Sequence, residues 1–404
     1  MKKRLFPVAL MACTVILSAC SKNDGNDTSK SQADKFEDYS MTTEWINYTV
    51  AASSELLDDC IALWASWNGP TGIPDEDWER IGRDFFTKNT MVGSNGYADY
   101  MRTAEAGNRA FTSGVDAIRT ILVDGMANIA NEVGTSKIGT PNALAKQGNT
   151  AAAVLQVESW YSWNSIKDYS DNIISIKNGY AGRRGSISDA ASENSISAYV
   201  KSVDPELDTK ITQAIDDTYY AITSMQSPFR NNLTGSKVDA AIEACATLTQ
   251  LFENEALGKF KETGDYDFTA ILTQYADQVV VPTYKDMKTK AWALYNAITA
   301  FQADPTNQSK LDAACAAWRE VRVPWEESEA VLFGPAGEEE GLGLDPSLDS
   351  WPLDQEDIAT MITDTKLSTV EDYIGAIGSE SVRGFHTIEL LLFKDGSNRT
   401  VRSE

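Results

Sequence analysis

The chain has a single histidine in 404 residues, and that scarcity excludes whole classes of chemistry. A catalytic zinc of the familiar peptidase kind takes two histidines and a carboxylate and keeps a position open for water. His-Glu-x-x-His and its inverse therefore cannot form within one chain, and no Ser-His-Asp or Cys-His arrangement is apparent. Cysteine is scarce too, with five in all. Cys13 and Cys20 fall in the amino-terminal segment, while Cys60, Cys245 and Cys315 sit in apolar helical stripes. No two are spaced as a zinc knuckle or a redox pair. They are expected as core thiols, compatible with one disulfide but not requiring it. Positive charge is also short, at 35 Lys and Arg against 59 Asp and Glu, a formal net charge of −24. Such a field repels nucleic acid and anionic lipid and favours cations, although acidity serves solubility as well. No run of consequence alternates with period two, so no substantial sheet is expected. Beyond the first twenty residues nothing approaches a transmembrane helix in length and apolarity.

Those first residues carry an address. Lys2, Lys3 and Arg4 form a cationic start, and Leu5 to Ile16 is an apolar run too short for a stable span. Leu17-Ser18-Ala19-Cys20 then reads as a lipobox, in which the Cys20 thiol takes a diacylglycerol after cleavage and further acylation completes a two-signal anchor. Residues 1–19 are expected as a lipoprotein signal peptide and 20–38 as a polar, flexible tether. Losing three cations and no acids moves the net charge from −24 to −27. The expected location is the outer membrane, held by the lipid on Cys20, facing the periplasm or the cell surface.

The body is helical by its periodicity. Leu56, Cys60, Leu63, Trp64 and Trp67 recur at threes and fours before Asn68-Gly69-Pro70 stops the helix. Phe111 to Ile129, Leu207 to Met225 and Val238 to Phe252 give three more stripes. Tyr284, Met287, Ala291, Leu294, Ile298 and Phe301 read as the seam of a long bundle helix. Asp304-Pro305 opens the next, marked by Leu311, Cys315 and Trp318. Pro282 and Pro324 are expected to kink or divide their helices. Gly334 to Asp354 is expected as a long ordered loop, its Glu338-Glu339-Glu340 run as a solvated surface, and residues 258–266, around Gly264, as a linker. After residue 264 only three good bundle helices appear, near 267–302, 307–332 and 381–394. A four-helix bundle needs a fourth, which the distant helix at 41–67 can supply.

The lone histidine, His386, lies in Gly384-Phe385-His386-Thr387-Ile388-Glu389. On a helix His386 and Glu389 share a face, so an imidazole nitrogen and a carboxylate can converge on one ion or one proton. Spacing alone is a weak signal and favours a hydrogen-bonded core pair.

The stretch GFHTIELLLF resembles the Gly-x-His-x-x-Glu signature of the imelysin-like superfamily. Trp318-Arg319, Trp325-Glu326, Glu329-Ala330 and Phe333-Gly334-Pro335, followed by Trp351-Pro352-Leu353-Asp354, are similar to the block that precedes that motif. Glu158 to Ser165, with Asp168 and Asn172, is similar to a Glu-x-Arg-Phe-Ser-Asp-Asn-Thr pattern of the family's other half. Here Trp160 replaces the usual arginine and Trp163 the usual aspartate. In the common order the histidine half comes first, whereas here Glu158–Ser165 precedes His386, so the chain resembles a circularly permuted branch. The resemblance implies an all-α fold of two four-helix bundles. One is expected over residues 70–260 and the other from 39–69 plus 261–404, with the site where they meet. Permutation is tolerated where chain ends are exposed and close.

The resemblance implies an exported protein of iron acquisition. A bound iron, an iron-containing ligand or another small molecule would be held by His386, Glu389 and Glu329. Arg319, Trp325, Glu326, Ser162, Asn164, Ser165 and Asp168 would line the ligand, with Arg319 as a counter-charge. One imidazole among carboxylates suits a hard or borderline cation, and uptake-system membrane proteins are the expected partners. Three alternatives stay open. A metallopeptidase of the imelysin type is opposed by the lone histidine. A haem site would use His386 as axial ligand. A structural or glycan-binding surface protein would use Trp160, Tyr161 and Trp163 as a stacking platform.

Overall fold

The computed structural model describes residues 36–89, 92–262, 266–337 and 342–402. Cys20, the signal peptide, Gly264 and the Glu338–Glu340 run lie outside the described residues. The folded body already includes Phe36, whose ring meets Trp45 at 4.6 Å, and Glu37, which pairs with Arg399. Both fall inside the stretch expected as tether.

The fold is all-α. Its longest helices are α1 (Thr43–Asn68), α2 (Ser165–Ala181), α3 (Pro205–Thr223), α4 (Ser236–Gln250), α5 (Val281–Gln302), α6 (Gln308–Glu326) and the motif helix α7 (Gly384–Leu392). Among the described residues the only strands are the two-residue pairs Phe393–Lys394 and Ser397–Asn398, a small antiparallel hairpin. No described helix is long and apolar enough to cross a membrane. Cys60, Cys245 and Cys315 are free and buried.

Helices α1, α5, α6 and α7 pack together, with the Trp45 indole donating to the Leu391 carbonyl at 2.9 Å. On the other side α2, α3 and α4 pack with a composite helix covering Gly114–Lys137. Residues 75–102, expected with this second group, instead lie against α1 and the helix Thr269–Tyr275. A buried polar contact joins them there: Asp77 is fully buried and accepts from Lys288 at 2.6 Å and from the Trp292 indole at 2.7 Å.

The proline expectations resolve differently. Before Pro282 the helix widens into a π turn, Ala276–Val280, and then continues as α5. A π turn takes up the missing donor and the ring's clash with the preceding turn, so the helix is re-phased without a break. Pro324 lies inside α6, which ends at Glu326, within a turn of it. The expected loop after Gly334 is largely structured, with a 3₁₀ turn at Gly334–Ala336 and a helix at Leu344–Asp349. The start of the expected linker at 258–266 is helical too, within Leu257–Lys261.

Gly384 explains the first letter of its motif. Its φ is +80°, and a Cβ there would stand 2.4 Å from the Leu348 carbonyl oxygen. Only glycine lets the start of α7 touch the Leu344–Asp349 helix so closely. Gly384→Ala should therefore lower stability by about 2 kcal/mol or more. Gly378→Ala, where φ is ordinary and nothing lies within 4 Å, should change it by less than about 0.5 kcal/mol. Thermal or urea unfolding of both variants checks this, and equal effects would refute it.

Candidate functional site

The bundles meet around a buried polar cluster. From α6 comes Arg322, fully enclosed, whose guanidinium is shared among four carboxylates. Nη1 donates to Asp349 at 2.5 Å, and Nη2 reaches Glu158 at 2.8 Å, Asp168 at 3.3 Å and Glu326 one turn along. A second enclosed cation, Lys137, ends the π turn Val133–Lys137. Its Nζ lies 2.9 Å from Glu158 Oε2 and 3.0 and 3.1 Å from the two Glu329 oxygens. Gly125 allows this approach, because a Cβ there would meet the Ala330 carbonyl oxygen at 2.3 Å. The composite helix and the Glu329–Val331 turn can thus touch.

His386 joins the cluster from α7. Its Nδ1 is 3.0 Å from Glu389 Oε2, and its Nε2 is 3.0 Å from Asp349 Oδ1 in an ion-pair contact that misses hydrogen-bond geometry. Glu389 Oε1 accepts from both the amide and the hydroxyl of Ser162 at 2.7 Å. The Trp325 indole donates to Asp349 at 2.5 Å, and the Asn172 amide to Glu326 at 2.5 Å. Beside the imidazole is a cavity of about 10 Å³, walled by Val157, Ser159, Trp351 and Pro352 among others. That is about the room of one water molecule.

The charges do not balance. Arg322, Lys137 and a protonated His386 face Glu158, Asp168, Glu326, Glu329, Asp349 and Glu389. Protonation absorbs part of the excess. Burial pushes the Glu326 and Glu329 carboxyls well above their usual range against the pull of Arg322 and Lys137, and it raises Asp168 as well. Burial would also raise Asp349, but Arg322 and His386 hold it well below. For His386 burial disfavours the imidazolium, yet the Asp349 carboxylate and the Glu389 contact prevail and push it up to about 10.

The expected site residues divide. His386, Glu389, Glu329, Glu326, Trp325 and Asp168 are brought together in the cluster. Glu329 is tied to Lys137, and Glu389 is engaged by His386 and Ser162. Arg319 is no counter-charge to the cluster. It donates to Asn164 Oδ1 at 3.1 Å and to the Ser162 carbonyl at 3.0 Å. Asn164 and Ser165 also knit the turn, through Asp168 at 2.6 Å and the Glu158 carbonyl at 2.6 Å. Sequence reasoning missed Arg322, Lys137 and Asp349 and did not assign Glu158 to the site. Arg322 had a signal, since it lies four residues after Trp318 and three before Trp325, on the buried stripe, whereas Arg319 is one position off it. Asp349 had none, because only the fold brings its short helix under α7.

An all-α protein of two packed helical groups with a closed, acid-rich polar centre is the class that fold and site define. The imelysin family model matches residues 23–257 and 280–403, and the chain belongs to that family. It is similar to a crystal structure described as an imelysin peptidase from Bacteroides ovatus, at 36% identity and a TM-score of 0.75, covering 89% of this chain and 97% of that one. It is also 39% identical over 119 residues to iron-regulated protein A of Synechococcus elongatus, which is 30% of this chain and 30% of that protein. The match thus spans under a third of this curated relative.

Two outcomes test the cluster. Arg322→Met leaves its carboxylates without their counter-charge and should cost about 3–5 kcal/mol, read by urea unfolding. The sole histidine makes the second direct: its imidazole signal in NMR should titrate near pH 10, and a midpoint near 6.5 would refute the assignment. Because the folded value is raised, the stability it contributes is complete below about pH 6.5 and is lost as pH rises through about 10.

Proposed function

We propose that this chain binds a bare divalent cation, iron in the cell, between Glu158, Asp349 and His386, and that it serves iron acquisition. The observation that carries this reading is a convergence of buried ligand atoms. One atom each from Glu158, Asp349 and His386 lie within 4.8 Å of one another, with Glu158 Oε2 held only by the Lys137 ammonium and His386 Nε2 facing Asp349. One imidazole with carboxylates suits a hard or borderline cation. The cavity beside the ring favours a naked ion over haem or a chelate, which it has no room for. Likeness to an iron-regulated protein supports iron as cargo.

A resident ammonium shapes this site. Lys137 neutralises Glu158 and Glu329, so an incoming cation competes with it and with the His386 proton. Glu389 and Ser162 hold the imidazole in place. Binding is the reading adopted over peptide cleavage, because one chain offers a single histidine and a peptidase zinc takes two. Anchoring by a lipid on Cys20, with uptake-system membrane proteins as partners, belongs to the same proposal and rests on the lipobox. So does a permuted helix order, supported by the contact between the ends: Arg402 donates to the Ser40 carbonyl at 2.8 Å.

Anaerobic dialysis of chelator-stripped protein against ferrous ion should show one saturable ion per chain. Glu158→Gln should weaken it at least tenfold with circular dichroism unchanged, and Lys137→Met should strengthen it. Absence of saturable binding, or equal affinity in Glu158→Gln, would overturn the reading.

A further inference from the structure

A second, much larger cavity lies on the other side of Tyr161. It is a half-open cavity of about 580 Å³, within the range of small-molecule sites. Phe36, Trp160, Leu390 and Phe393 supply apolar walls. The Trp160 and Tyr161 rings meet at 4.1 Å, tilted by 30°, and the Arg230 guanidinium lies 4.3 Å above Trp160.

Two donors on these walls are left over. The Tyr161 hydroxyl is buried and meets only the Gln355 side chain, and Arg230 Nε makes no hydrogen bond. Buried polar groups left so are rare in folded proteins. Arg230 is otherwise committed only to the Trp160 carbonyl at 3.2 Å and, at 3.6 Å, to Asp395, whose side chain is 72% exposed. The neighbouring cations are spoken for: Lys394 and Arg399 pair with Glu37 at 3.0 and 3.1 Å. The backbone is unusual here as well. Ser159 and Trp163 take φ of +52° and +60°, values that non-glycine residues adopt uncommonly.

We propose that this cavity binds a small organic anion with a flat apolar body. Its carboxylate or sulfonate oxygens accept from Arg230 and the Tyr161 hydroxyl, and its body lies between Trp160 and Phe393. Guanidinium supplies paired donors suited to a planar anion, and the aromatic wall supplies area without polar demand. The ion site is distinct, since its cavity is far too small for such a molecule. Tyr161 and Trp160 wall both.

The probe is 8-anilinonaphthalene-1-sulfonate, with uncharged N-phenyl-1-naphthylamine beside it. Fluorescence titration should show one saturable sulfonate site per chain. Arg230→Gln should weaken it at least tenfold while leaving the uncharged probe within twofold, and Tyr161→Phe should weaken it about threefold. Ala359→Phe, on the wall helix Gln355–Thr363, fills the space and should abolish binding of both probes, which keeps the test decisive should Arg230→Gln misfold. No saturable sulfonate binding, equal sulfonate affinity in a folded Arg230→Gln, or unchanged binding in Ala359→Phe would overturn the proposal.

Discussion

Arg322 has no contact with water, and a guanidinium so placed must find its whole solvation among protein oxygens. It finds them on three separate stretches of chain: Glu158 and Asp168 ahead of and within α2, Glu326 on its own helix, and Asp349 on the short helix before the motif. Every other feature of the centre follows from this arrangement. Asp349 can stay ionised in the interior only because Arg322 and His386 flank it. His386 can stay protonated only because the Asp349 carboxylate and the Glu389 side chain lie against its ring. Such a network is not a cheap source of stability, since well-packed apolar residues often do as well.

Shape then divides the labour. Beside the imidazole there is room for something the size of one water molecule, and beyond Tyr161 there is room for a small organic molecule. The turn from Glu158 to Ser165 separates them. It is braced by the Arg319 hydrogen bonds and by the Gly396 amide, which donates to the Tyr161 carbonyl at 2.8 Å. Asn164, Ser165 and Arg319, expected to line a ligand, make hydrogen bonds within this wall. Ser162 acts through Glu389.

Secondary structure was legible because helices announce themselves by period. The stripes from Leu56 to Trp67 and from Tyr284 to Phe301 lie within α1 and α5, with most of their members buried. The Gly-x-His-x-x-Glu helix was legible for the same reason, and glycine at its start has a steric cause in the Leu348 carbonyl. The effect of Pro282 was not, since whether a proline breaks a helix or merely re-phases it depends on what packs around the freed carbonyls. The packing of residues 75–102 on α1 was not legible, since contacts such as Asp77 with Lys288 join stretches far apart in the chain.

By itself the sequence determined the all-helical architecture, the family and the histidine–glutamate pair, because each is written in local spacing and residue type. Only the tertiary structure decided that Arg322, and not Arg319, sits at the centre, that Lys137 and Asp349 belong to the site, and that a second cavity lies behind Tyr161. Those facts depend on helices far apart in the chain meeting at one point. Burial there sets which charges must pair, and no periodicity within a single helix encodes its partner's charge.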